Sequence, residues 1–121
     1  MISHISNLRK ARSLLIDLLC NDIKKDELDE NISQLKLILN SGIIIYVRYN
    51  EFGEYGYQII YSLQKNDFSR FDNFDDKWEV ATKPHHFHRK GNKYAIASPM
   101  LGNPTHDMPI LIKYINEGKI K

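Results

Sequence analysis

The chain has 121 residues, 42% of them apolar and 26% charged, with a net charge of +2 and a single cysteine. That length supports one hydrophobic core, so one domain over residues 1–121 is expected, and the near-neutral balance excludes binding to nucleic acid through bulk charge. One thiol excludes an internal disulfide and fits a reducing cytoplasm, while no apolar run approaches the roughly 20 residues that cross a bilayer, so no membrane partner is expected.

Residues 4–20 predict a helix. Ile5, Leu8, Leu15, Leu18 and Leu19 recur at spacings of three and four, with Arg9, Arg12 and Asp17 elsewhere on the turn. Ser6 or Asn7 is placed to cap its start. The charges inside this segment, and the lack of a small-residue cleavage site after it, are unlike a signal peptide. Cys20 falls on the apolar stripe and is expected to be a buried structural thiol. The acidic stretch from Asn21 to Asn31 reads as a loop or a short second helix, with the helix expected to continue or resume to about Lys25.

From Ile32 the pattern turns to strands. "ISQLKLIL" is rich in branched residues and ends at the turn Asn40-Ser41-Gly42. "GIIIYVRYN" alternates, with Ile43, Ile45, Val47 and Tyr49 on one face and Ile44, Tyr46, Arg48 and Asn50 on the other. After the short connection "NEFGE", "YGYQIIYSL" returns with Tyr55, Tyr57, Ile59 and Tyr61 on one face, and "FSRFDN" supplies a fourth strand. "WEVATKPHHFH" is extended and interrupted at Pro84, and "YAIAS" is a candidate for a sheet edge. The last element, "HDMPILIKYINEGK", predicts a helix capped by Thr105 or Asp107, with Pro109 in its first turn. The expected fold class is α+β: an N-terminal helix, an antiparallel sheet of about four strands and a C-terminal helix.

The residues with most chemistry lie late in the chain. His85, His86 and His88 fall within four positions, and Lys83, Arg89, Lys90 and Lys93 surround them with no acid between residues 83 and 93. Such a local positive field attracts phosphate even on a nearly neutral chain. A metal reading uses His86 and His88, whose rings leave the same face of an extended segment, with His106 or Asp72 to complete the set. Nothing marks a third ligand, so no metal and no cofactor is expected.

A phosphodiester reading uses the same residues differently. Cleavage of RNA by internal transfer needs a base for the 2′-hydroxyl, an acid for the leaving oxygen and a cation facing the phosphorane. Histidine suits both proton transfers. Arg48 and Arg70 on strands could hold phosphate, and Tyr46, Tyr49, Tyr55, Tyr57 and Tyr61 offer faces for unstacked bases. The structural reading of these residues is an Arg70–Asp72 ion pair and tyrosines packed in a core.

The segment from Tyr46 to about Ser98 resembles the TumE family of toxins, related to RelE-like toxins. The features that carry the resemblance are "YVRY", "YGYQIIYS", the run Arg70-Phe71-Asp72-Asn73, and Pro84-His85-His86 followed by His88. Relatives often carry a further proline-histidine-histidine after the aspartate-asparagine, where this chain has Phe74, Asp75 and Asp76. The resemblance implies a RelE-like fold and a toxin of a type II toxin-antitoxin pair. It implies action on RNA and neutralisation by a helix-turn-helix antitoxin, with a homo-oligomer among the expected assemblies. The catalytic expectation is His86 and His88 as the acid-base pair, assisted by His85, Arg70 and Asp72. Arg48, Tyr57, Lys83, Arg89 and Lys90 are expected to bind substrate. The alternatives are a binding module that leaves RNA or protein partners intact, and a metal-dependent hydrolase. The "YAIAS" edge or the C-terminal helix is the expected antitoxin surface.

Overall fold

The computed structural model describes residues 3–74, 79–89 and 92–120. Helix α1, His4–Leu19, is capped by Ser3, whose hydroxyl oxygen accepts from the Ser6 N–H, in place of the expected Ser6 or Asn7. Its buried stripe is Leu8, Ala11, Leu15 and Leu19, while Leu18 is exposed. The helix does not continue into the acidic stretch. At Cys20 the backbone takes φ 48°, and a single tight turn over Cys20–Asp22 redirects the chain. Cys20 is therefore exposed, not buried, with its thiol against the Asp17 carbonyl.

Among the described residues the sheet has seven strands where about four of RelE-like form were expected: β1 Ile23–Asp29, β2 Gln34–Leu39, β3 Ile44–Tyr49, β4 Tyr55–Ile60, β5 Phe68–Asp72, β6 His86–His88 and β7 Ile96–Ala97. They lie in chain order and every neighbouring pair is antiparallel. The first of the additional strands, β1, is the acidic stretch itself. Two forked pairs tie it to α1: Arg12 to Asp26, and Arg9 to Glu30 at 2.9 and 2.6 Å. Each guanidinium matches both carboxylate oxygens, which fixes the strand beneath the helix without an apolar alternation. The others are β6, from the segment read as extended, and β7, from "YAIAS", read as a candidate sheet edge.

Helix α2, Pro104–Ile120, closes the fold beside α1. Asn103 caps it, its side-chain oxygen accepting from the Thr105 and His106 N–H groups, so neither Thr105 nor Asp107 is the cap. Pro109 stands in the second turn, beyond the first-turn place expected for it. Both helices cover one face of the sheet. Leu8, Leu15, Leu35, Leu37, Ile45, Val47, Tyr57, Ile59, Phe71, Met108, Leu111 and Ile115 form the core between the layers. Tyr114 meets Phe71 and Phe87 edge-on at 5.0 and 5.2 Å, setting α2 above β5 and β6. No helix among the described residues is long and apolar enough to cross a membrane.

Candidate functional site

Strand alternation sends every second residue to the face the helices leave open. Register then aligns these residues into rows across the sheet. One row runs Lys36, Tyr46, Gln58, Arg70, His88. The next runs Gln34, Arg48, Gly56, Asp72, His86. Two motifs distant in sequence, "YVRY" and "HFH", thereby share one surface.

Asp72 organises the far end of these rows. Its carboxylate is buried and accepts three hydrogen bonds: from His86 Nε2 at 2.7 Å, from Arg70 Nε at 2.7 Å and from the Phe74 N–H at 3.1 Å. His86 is 2% exposed, and its Nδ1 faces the Pro84 carbonyl at 3.1 Å. Both ring nitrogens thus face acceptor oxygens. The His88 ring meets His86 edge-on at 5.2 Å and is itself half-buried. Its Nδ1 lies 3.1 Å from the Asn92 carbonyl oxygen, which only accepts. In the neutral ring this places the hydrogen on Nδ1 and the basic lone pair on Nε2. Thr82 pins the loop before β6, donating to the His85 carbonyl at 2.7 Å and accepting from the Ser98 N–H at 2.8 Å.

Beside this cluster the open face carries a depression of about 200 Å³ lined by Tyr46, Arg48, Gly56, Tyr57, Gln58, Arg70 and Phe74. Arg48 and Arg70 are exposed, and among the described residues Arg48 has no carboxylate partner. Lys36 lies over the Tyr46 ring, its Nζ 5.7 Å from the ring centre. Gly56 has no side chain to fill the floor, and a Cβ there would come within 3.5 Å of the Phe74 ring. The site is lined by two exposed arginines and by the aromatic side chains of Tyr46 and Phe74.

Other expected site residues lie elsewhere. Tyr57 reaches the depression from beneath, with its ring turned into the core and fully buried. Its hydroxyl donates to Asp107 at 2.7 Å and meets Tyr49 Oη at 2.8 Å. Burial drives the Tyr57 phenol far above the usual range, so it stays neutral. The rings of Tyr49 and Tyr55 are likewise core, and Tyr61 bonds Ser69. Of the five tyrosines read as base platforms, Tyr46 alone has its ring on the open face. His85 stacks on Tyr55 and bonds its hydroxyl at 2.9 Å, away from His86 and His88. Arg89 follows His88 and so turns to the helix face, where its charge opposes the upward shift that burial gives Tyr61 and Tyr114. Lys83 pairs with Glu79 on the loop at 3.2 Å. Lys90, Asp75 and Asp76 lie outside the described residues. His106 bonds the Pro99 carbonyl near the start of α2. Among the described residues no group of three or more His, Cys, Asp or Glu side chains is placed to hold a metal ion.

Sequence reading missed Gln58, Gly56 and Phe74. Only the alternation of β4 signals Gln58 and Gly56, and only with the face assigned. It also missed Asp107, a fully buried carboxylate that accepts from the Leu101 and Gly102 N–H groups as well as from Tyr57.

A model of the family described as Toxin TumE matches residues 11–118, from the middle of α1 to near the end of α2. No match is found among curated proteins or among solved structures.

Proposed function

The chain belongs to the TumE toxin family, and from that premise we propose that it is a toxin acting on RNA by phosphodiester cleavage. A toxin of this kind has a cognate antitoxin as its partner. In this reading the antitoxin is a helix-turn-helix protein, the pair is of type II, and residues 1–121 act in the cytoplasm as one toxin domain. The observation that supports RNA as the target is the row Gln58–Arg70–His88 on the open face. It sets a phosphate-binding guanidinium beside an imidazole whose Nδ1 faces a carbonyl.

The roles divide by exposure. Arg70, held by Asp72, and Arg48 across the depression bind phosphate and neutralise the phosphorane. His88 takes the proton of the ribose 2′-hydroxyl at Nε2 as that oxygen attacks phosphorus. The bond to the 5′-oxygen breaks, that oxygen takes a proton from solvent, and a 2′,3′-cyclic phosphate and a 5′-hydroxyl result. His86, buried between Asp72 and Pro84, positions Asp72 and β6 and does not itself exchange a proton with substrate. The guanidiniums supply the positive charge, so chelators are expected to leave the activity intact.

The test is induced expression of the chain beside a His88→Ala form, with total RNA followed over time. Growth arrest and RNA fragmentation by the parent alone support cleavage through His88, since a positioned proton-transfer group is worth about 10²–10⁴ in rate. Arrest by both with intact RNA overturns cleavage in favour of binding.

A further inference from the structure

The depression on the open face holds more than a phosphate site. We infer that it is a slot for one unpaired RNA nucleobase, walled by Tyr46 and Phe74 and read at its floor by Gln58. The inference rests on RNA being the target and names the part of RNA the site takes.

The argument starts from shape. The space is about 200 Å³, the scale of a single base and far too small for a duplex groove contact. Its ends are two half-buried aromatic side chains. Lys36 covers the Tyr46 ring on one side. Aromatic rings at such sites stack with bases of any sequence, because every base has a π-face. Gly56, in the row between Arg48 and Asp72, lets the Phe74 ring lie close against the floor, 3.5 Å from where a Cβ would stand.

Charge gives the second support. Arg48 of β3 and Arg70 of β5 both line the slot, so a base in it has cations available for its flanking phosphates. A second depression of about 320 Å³ adjoins the first, sharing Arg48 and Phe74 as common walls. A strand laid across the face therefore passes from one depression to the next over Arg48. At the other end it passes Arg70 and reaches His88.

Gln58 gives the third. Its carboxamide lines the slot and offers both a donor and an acceptor, the pair that matches the N6 and N7 edge of adenine. An unstacked base exposes that edge, which a paired base in RNA's deep major groove withholds.

The experiment measures fluorescence anisotropy of the purified chain with three 2′-O-methyl hexamers, which resist cutting: one of adenosines, one of uridines, and an abasic one with the same phosphates. The adenosine hexamer is expected to bind at least about 5-fold more tightly than the abasic one. Tyr46→Leu and Phe74→Leu should each shrink that ratio while leaving abasic affinity unchanged, which also shows that the variants are folded. A Gln58→Leu chain should lose preference for adenosine over uridine hexamers. Equal affinity for adenosine and abasic hexamers overturns the slot and leaves the RNA reading standing. Failure to bind either hexamer overturns the RNA reading and the slot with it.

Discussion

His86 Nε2 lies 2.7 Å from Asp72 Oδ1, with side chains only 3% and 1% exposed, and the same carboxylate holds Arg70 through its other oxygen. One buried group thus fixes a histidine of β6 and the exposed arginine of β5 that borders the depression. Removing a buried acceptor leaves its donors, the His86 ring and the Phe74 N–H, without a partner. Asp72→Ala should cost about 1–3 kcal/mol, measured by urea unfolding. His88→Ala, on the half-exposed neighbour, should change stability by less than about 1 kcal/mol. Equal losses from the two would contradict the division of roles between His86 and His88.

Phosphate contacts are legible in salt. For single strands the logarithm of affinity falls against the logarithm of salt with a slope of about 0.7 per phosphate neutralised. Arg48→Ala should lower that slope by about 0.7. Arg89→Ala, on the helix face, should leave it unchanged. Titrations of a labelled RNA hexamer at four salt concentrations suffice, and a slope indifferent to Arg48 would remove it from the interface.

Alkaline pH should unfold this protein early. Burial pushes the phenols of Tyr49, Tyr55 and Tyr57 well above the usual tyrosine range. The unfolded chain ionises them near pH 10, so it releases protons that the folded chain keeps. Stability is whole below about pH 10 and declines above it, by up to about 1.4 kcal/mol per pH unit for each phenol. Urea midpoints at pH 8, 10 and 11 test this, and Tyr49→Phe should make the decline shallower by one phenol's share. A midpoint constant through pH 11 would mean that the phenols are not sequestered.

Gly102 joins the loop before α2 to the core. Its φ is 86°, its N–H donates to Asp107 at 2.8 Å, and a Cβ there would stand 3.0 Å from the Tyr55 ring. Gly102→Ala therefore combines left-handed strain with a collision against a buried aromatic, and should cost about 2–4 kcal/mol. Gly42→Ala shares the positive φ, at 96°, but meets no atom within 4 Å, so about 1–2 kcal/mol is expected. Thermal unfolding of the two variants separates strain from packing.

How far the sequence could be read depended on whether burial left a period in it. In β3 and β4 burial alternates strictly, and the period of two in the sequence puts Ile45, Val47, Tyr57 and Ile59 on the face they occupy. In β1 the helix-facing side carries Asp26 and Leu28, and Asp26 is satisfied by Arg12 rather than by burial, so a strand resembles an acidic helix end. Strands β6 and β7 have three and two residues, too few to establish any period. The spacing of His86 and His88 did show that they share a face. Asp72, the partner of His86, is set opposite it by register across β5 and β6, which no local pattern encodes. Asp107 resembled a helix cap because caps favour aspartate, yet its partners Leu101, Gly102 and Tyr57 lie outside the helix.

The strict chain order of the sheet has a consequence for synthesis. Each strand pairs with the one made just before it, so the hairpins from β1 to β5 close through short loops as the chain leaves the ribosome. The surface bearing Tyr46, Arg48, Gln58 and Arg70 is assembled by residue 72, whereas His88 joins it only when β6 pairs. The opposite face waits longer, since Met108, Leu111 and Ile115 of α2 cover the core last. A nascent chain therefore carries its cationic surface before its histidine, and the part of the apolar face that α2 covers stays bare after β6 has paired, with α1 alone shielding its share.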